Sequence, residues 1–223
     1  MAGGTRVLTV VLATGVAALA AASALASPGE PKLAITAADQ ARAKTVLLKT
    51  TDLPGKKWKA AKVDFARSQP DCIVKRYSLA KLTTTGQAGT EFTREVDTGT
   101  FLVDSIARVF RTSTQAVTAV KVRSQLGVGK CLGQTLVSEA PFGSKATSSA
   151  KVFSLTGLAL PSKGFKITVK VKSGSQKYTL TGTVLEFRKA RTVTEISLLT
   201  IDKGWSSATL RSVAAQLAKL TAT

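Results

Sequence analysis

The clearest pattern along the chain lies at residues 164–172, where Phe165, Ile167, Val169 and Val171 alternate with Lys166, Thr168, Lys170 and Lys172. A period of two sends successive side chains to opposite faces, so this stretch predicts a half-buried antiparallel strand with one apolar and one basic face. Ser173-Gly174-Ser175 then reads as a hairpin connection into Tyr178, Leu180 and Val184. Further runs rich in Thr, Val, Ile and Phe predict strands near 73–82, 89–97, 100–111, 151–156, 176–188 and 191–201.

Helical spacing recurs in three places. Thr36 followed by Asp39 forms a helix-starting box, after which Ala38, Ala41, Val46 and Leu48 repeat until Leu53-Pro54-Gly55 stops the chain. A second helix is expected from Ser113 to Leu126, with Ala116, Val117, Val120 and Val122 inward and Gly127 ending it. The third runs from Ser207 to Leu220, where Leu210, Val213, Ala214, Leu217 and Leu220 make an i, i+3, i+4, i+7 stripe. Helices before, between and after groups of strands predict an α+β fold, a central antiparallel sheet flanked by about three helices in a single domain.

The first residues change the picture of where this fold resides. Met1 to Arg6 carries an amine and one Arg, Val7 to Ala22 is uncharged and apolar, and Ala24-Leu25-Ala26 is a small-x-small processing site. We therefore expect a signal peptide over 1–26, cleaved before Ser27. A retained anchor is the alternative, since the uncharged run reaches from Val7 to Ala26, just long enough to span a bilayer. Ser27 to Lys32, with Pro28, Gly29 and Pro31, reads as linker, so residues 27–35 are assigned to a flexible lead and 36–223 to the domain. Gly143 to Ala150 reads as a Ser/Thr-rich loop within it. The expected location is secreted or extracytoplasmic.

Export gives the two cysteines a meaning. An even count outside the cytosol is read as a disulfide between Cys72 and Cys131, and a loop of that length restricts the unfolded chain by roughly 4 kcal/mol. The competing reading, a reactive or metal-binding thiol, has neither a C-x-x-C spacing nor any His behind it. The absence of His also removes Ser-His and Cys-His nucleophile pairs, and no Walker loop or dinucleotide glycine pattern occurs.

The 223-residue chain carries 32 Lys plus Arg against 13 Asp plus Glu, a formal charge of +19 that cleavage at Ala26 would lower by one. Over residues 163–191 the cations Lys163, Lys166, Lys170, Lys172, Lys177, Arg188, Lys189 and Arg191 face the single acid Glu186. Lys166, Lys170, Lys172, Lys177, Arg188, Lys189 and Arg191 are the candidate ligand-binding residues of a basic sheet face. Outside the cytosol, that face suits anionic cell-envelope polymers or lipid headgroups, with binding that weakens as salt rises. A solvated face on a basic protein is the competing reading. Nucleic acid suits the chain poorly, because single-strand binders add exposed stacking aromatics and aromatics are only 5% here.

Three lesser candidates remain. Lys56, Lys57, Lys59 and Lys62 surround Trp58, which either docks at a membrane surface or packs into the fold after the Pro54-Gly55 turn. Glu91, Glu95 and Asp97 share a face of an extended segment, with roughly 7 Å between the last two, a spacing compatible with an inverting glycosidase pair or a weak calcium site. Ser78-Leu79-Ala80-Lys81 and Ser148-Ser149-Ala150-Lys151 match S-x-x-K but lack its partner motifs.

Val46-Leu47-Leu48, then Asp52-Leu53-Pro54-Gly55 and Trp58, then Cys72, a helix leading to Cys131, a strand meander and a terminal helix together resemble actinobacterial secreted sensor-like domains. These are similar to the extracytoplasmic sensor domain of mycobacterial receptor serine/threonine kinases and to the fold of photosystem subunit P and Mog1. The kinase domains carry two disulfides, whereas this chain has cysteines for one. The resemblance implies a sheet flanked by helices, a ligand cleft, and no catalytic residues to carry over. Our reading is a secreted or envelope-associated, non-enzymatic binding or sensor-like domain without cofactor or metal. The alternatives are a carrier with an internal cleft for a small apolar ligand and, third, a carboxylate-dependent hydrolase.

Overall fold

The structure, a computed structural model, describes residues 29–65, 70–96, 99–140, 145–202 and 204–223. The signal peptide and cleavage site expected before Ser27 lie outside these residues, as does Asp97. Eight strands form one sheet: β1 (Lys32–Leu33), β2 (Lys59–Lys62), β3 (Thr83–Val96), β4 (Gly99–Phe110), β5 (Lys145–Phe153), β6 (Lys163–Ser173), β7 (Gln176–Lys189) and β8 (Thr192–Ile201). Their order is β1-β3-β4-β8-β7-β6-β5, with β2 beside β1 on the outer edge of β3. The sheet is mixed rather than purely antiparallel, because β1 runs parallel to β3, pairing Lys32 with Thr83 and Leu33 with Thr84. Part of the stretch expected as flexible lead is thus bonded into the sheet edge.

Five helices, more than the three expected, cover the two faces among the described residues: α1 (Ala37–Thr45), α2 (Asp71–Arg76), α3 (Ser113–Arg123), α4 (Leu126–Ser138) and α5 (Ser207–Ala222). The Thr36 hydroxyl accepts from the Asp39 N–H at 3.2 Å and starts α1 as the box predicts. The helix ends at Thr45 rather than near Leu53. Val46 and Leu48 are buried as expected, whereas Ala38 and Ala41 are exposed and Ala43 is buried in their place. In α3 the buried residues are Ala116 and Ala119, while Val117 is 47% exposed. α5 buries Leu210, Val213, Ala214 and Leu217, the stripe read from sequence.

Two elements correct the expected pattern. The strand expected over 73–82 is instead the short helix α2 followed by an irregular segment, whose buried apolar residues Ile73, Leu79 and Leu82 do not keep the alternate spacing of a strand. The helix expected to reach Leu126 stops at Arg123, Gly127 lies inside the separate helix α4 rather than ending one, and residues 145–150, expected as loop, belong to β5. The glycines of α4 serve close packing. A Cβ at Gly129 would stand 2.8 Å from the Phe165 ring, and one at Gly133 would stand 3.0 Å from the Ser148 Cβ, so the helix rests directly on β5 and β6. Gly129→Ala gains roughly 1 kcal/mol of helix propensity and loses roughly 2 kcal/mol to overpacking. Its denaturation midpoint is therefore expected to fall by about 1 kcal/mol equivalent, and a midpoint unchanged or raised would contradict this packing account.

One face of the sheet carries α2, α3 and α4 over a core of Phe165, Ile167, Val169, Leu199, Leu132 and Leu136. The other carries α1 and α5 over Phe92, Val103, Leu185, Phe187, Ile196 and Leu198. α5 lies over β7 and β8, and α4 is the helix packed on β5 and β6, from the opposite side. The α5-side face of β5, β6 and the start of β7 is therefore left without a helix above it.

Candidate functional site

That uncovered face is built by register. Across β5, β6 and β7 the opposed residues are Lys145–Lys172–Lys177, Thr147–Lys170–Thr179, Ser149–Thr168–Thr181 and Lys151–Lys166–Thr183. A two-residue hairpin, Gly174-Ser175 with Gly174 at φ +60°, sets the β6–β7 register. With strands about 4.8 Å apart and alternate residues about 6.6 Å apart along a strand, the face is roughly 10 Å by 20 Å. Lys145, Lys151, Lys170, Lys172 and Lys177 are exposed, Lys166 is half-buried and Thr183 is buried, so the open surface ends short of β7 in the last row. These rows hold no carboxylate. Asp202 stands at the margin, accepting the Thr179 backbone N–H at 3.0 Å.

Like charges directly opposite one another weaken strand pairing. The rows contain three such pairs, Lys145–Lys172, Lys172–Lys177 and Lys151–Lys166. The structure thus brings Lys166, Lys170, Lys172 and Lys177 together and adds Lys145 and Lys151, which the sequence reading passed over because they lay in an expected loop and at a strand margin. It places the other three candidates elsewhere. Arg188 pairs with Val193 on the opposite face and donates to the Ala190 carbonyl at 3.2 Å. Lys189 bonds the Ala222 carbonyl at the end of α5. Arg191 clasps both Asp39 oxygens at 2.9 and 3.1 Å and donates to the Phe110 carbonyl, tying α1 to the sheet. Burial raises the Asp39 carboxyl, but bonds from Thr85 and Arg191 outweigh it and hold the group below its ordinary range.

The helix-covered face under α3 holds buried charge that no pattern in the sequence announced. Glu30 meets Arg123 at 2.9 Å and Arg108 at 3.7 Å, and Arg123 reaches Glu195 at 3.7 Å. The Ser197 hydroxyl donates to Glu195 at 3.2 Å. Glu186, directly opposite Glu195 on β7, is 1% exposed and has no hydrogen-bond partner among the described residues. Burial first, and the Glu195 charge second, push its carboxyl well up, against the pull of Arg123 and Arg108. Its ionisation is therefore disfavoured in the fold relative to an exposed glutamate.

Glu91 and Glu95 share a sheet face, and register places Glu91 opposite the buried Asp104 and Glu95 opposite Thr100. Among the described residues no cluster of three or more His, Cys, Asp or Glu is placed to hold a metal ion. Ser148 and Lys151 point to opposite faces of β5, so that S-x-x-K match makes no pair. Trp58 packs against the core beside α5 rather than standing free, as the second of its two readings expected. Cys72 of α2 and Cys131 of α4 form the expected disulfide, with Cα atoms 6.0 Å apart.

The chain is thus an α+β domain with one uncovered lysine and threonine face. No protein-family model matches it, and a search of curated proteins finds no match. Among solved structures, the extracellular domain of PknH from Mycobacterium tuberculosis is similar over 81% of this chain and 95% of that one, at 9% identity and a TM-score of 0.40.

Proposed function

We propose that this protein is a non-enzymatic, extracytoplasmic binding domain that engages an extended polyanion of the cell envelope across the β5–β6–β7 face. The observation that carries the reading is the set of cross-strand lysine pairs left uncovered and without a facing carboxylate. An arrangement that costs stability in the free protein is relieved when anionic groups sit between the ammonium ions. The interleaved threonine hydroxyls supply further donors at strand spacing. The Cys72–Cys131 disulfide supports an oxidising compartment.

The test is co-sedimentation of the chain with isolated cell envelope across a salt series, with vesicles of anionic lipid as a second arm. Binding is expected to fall steeply with salt. At about 1 kcal/mol per lysine near an anionic surface, Lys166→Gln, Lys170→Gln and Lys172→Gln together should weaken it about a hundredfold. Binding to envelope freed of lipid assigns the polymer as the source, and binding to vesicles alone assigns the headgroups. Absence of binding at low salt in both arms would exclude the reading.

Lys172 gives a sharper prediction, since it opposes both Lys145 and Lys177. Lys172→Glu turns two repulsive pairs into attractive ones and should raise stability by about 0.5 kcal/mol while lowering envelope binding. A variant destabilised by urea titration would show that the lysine pairs are not strained.

A further inference from the structure

The two margins of the sheet are built differently. Along residues 82–93 the outer side of β3 is closed by successive pieces of chain. The Lys32 N–H donates to the Leu82 carbonyl at 2.9 Å, Ala34 to Thr84 at 2.9 Å and Thr36 to Thr85 at 2.8 Å. The Gln40 side chain then stands in for a strand, accepting from the Gln87 N–H at 3.1 Å and donating to the Gln87 carbonyl at 2.8 Å. Val63 N–H meets the Gly89 carbonyl at 3.2 Å, and β2 pairs with residues 90–93. The strands left outermost there, β1 and β2, are two and four residues long, the short edges by which natural sheets avoid unwanted pairing.

The β5 margin has no such cover. β5 is the last strand of the sheet, and among the described residues no backbone hydrogen bond reaches its outer side. Its nine residues pair with β6 in unbroken register, from Lys145–Lys172 to Phe153–Gly164, without bulge or proline. Every second residue of such a strand turns its N–H and C=O outward, so β5 presents a row of free donors and acceptors. The two faces beside that row differ. Lys145 and Lys151 project on the uncovered face, whereas Ala146, Ser148, Ala150 and Val152 project on the face of α4. A Cβ at Gly129 would stand 3.3 Å from the Ala150 Cβ, which places α4 on that face. Val152 is 66% exposed, the most open large apolar side chain among the described residues.

We infer that the β5 edge takes up an extended acidic polypeptide segment as a further strand of the sheet, its carboxylates on the lysine face and its apolar side chains beside Val152. Main-chain hydrogen bonds supply the adhesion in this mode, and alternate side chains supply the choice of partner. Lys145 and Lys151 make that choice. Each already faces a lysine of β6, Lys172 and Lys166, so a carboxylate on its free side adds an opposite-charge pair to a like-charged row. An edge lysine also guards against pairing with another copy, and here the guard is selective. A second β5 would bring its own two lysines on a chain of formal charge +19, whereas an acidic strand is drawn in. The inference goes beyond the polyanion reading, because it uses the backbone of the edge rather than the ammonium groups of the face, and it stands whether or not the face binds cell envelope.

The probe is a fluorescein-labelled nonapeptide of alternating glutamate and valine, titrated into the full chain and followed by fluorescence anisotropy. The expected result is saturable binding with slowed amide exchange over residues 145–153, since only a paired strand offers acceptors to the outward N–H groups of β5. A peptide of the same length and carboxylate count, with proline in place of valine, cannot join a ladder and should bind about tenfold more weakly or less. Lys145→Gln with Lys151→Gln should weaken the valine peptide about tenfold. Lys170→Gln with Lys172→Gln should impair envelope binding yet leave the peptide's protection of residues 145–153 in place. No saturable binding would overturn the inference. So would equal binding of the proline peptide, or binding without added protection over residues 145–153, and both of these leave the polyanion reading intact. Protection of the same amides in the chain alone as its concentration rises would assign the edge to a second copy and overturn the inference as well. None of these four outcomes needs a variant to fold.

Discussion

Replacing both Cys72 and Cys131 with serine is expected to lower the folding free energy by about 4 kcal/mol. The bond spans 59 positions, and fixing the ends of so long a loop removes many conformations from the unfolded chain but few from the native one. What it joins makes the loss uneven. α2 has six residues and a single buried side chain, Ile73, so by itself it has little to hold it against α4. The variant should therefore show a lower urea midpoint, together with faster amide exchange over residues 70–80 than over β7 and β8. A midpoint within 1 kcal/mol equivalent of the parent, or uniform exchange, would show that packing alone secures α2.

The second large effect is a gain. Glu186→Gln is expected to stabilise the protein at neutral pH by about 2 kcal/mol, because burial and then the Glu195 charge raise the Glu186 carboxyl well above its ordinary range in the native state, whereas the unfolded chain ionises it freely. The native state then binds more protons than the unfolded one. Unfolding free energy consequently falls as pH rises from the ordinary glutamate range, about 4.3, toward the raised native value. Below that window both states are protonated and the cost disappears. Glutamine keeps the shape and has no proton to release, so the two proteins should be equally stable at about pH 4 and diverge as pH rises. Urea midpoints taken across that interval provide the check. A difference independent of pH, or a glutamine variant less stable at neutral pH, would mean that Glu186 is ionised in the fold and paired with Arg123 or Arg108.

Much of the architecture was legible because it depends on local periodicity. The alternation around Phe165 and Lys166 is a property of nine consecutive residues, and burying Phe165, Ile167, Val169 and Val171 under α4 needs only that the strand be extended. The Leu210–Leu217 stripe of α5 and the Thr36 cap of α1 are equally local. α4 escaped notice for a reason found outside its own sequence. Gly127, Gly129 and Gly133 look like helix breakers until the Tyr77 hydroxyl, the Phe165 ring and Ser148 are seen pressed against them. α2 escaped because an apolar pair, Ile73-Val74, fits either a helix turn or a strand, and the disulfide partner lies far along the chain.

The candidate sites divide in the same way. The sequence by itself determined the excess of positive charge, the pairing of the two cysteines, the α+β class and the basic side of β6, since each follows from composition or from spacing within one element. Only the tertiary structure decided which cations share a surface. Strand register set Lys145 and Lys151 beside Lys166 and Lys172, while the β7–β8 turn carried Arg188, Lys189 and Arg191 to other tasks. It alone stacked Trp58 on Trp205 and set Glu186 opposite Glu195 in the interior. The physical reason is range: side-chain periodicity is encoded over a few residues, whereas a cavity or a charged face is formed by residues far apart in the chain that meet only when the strands have paired and the helices have packed.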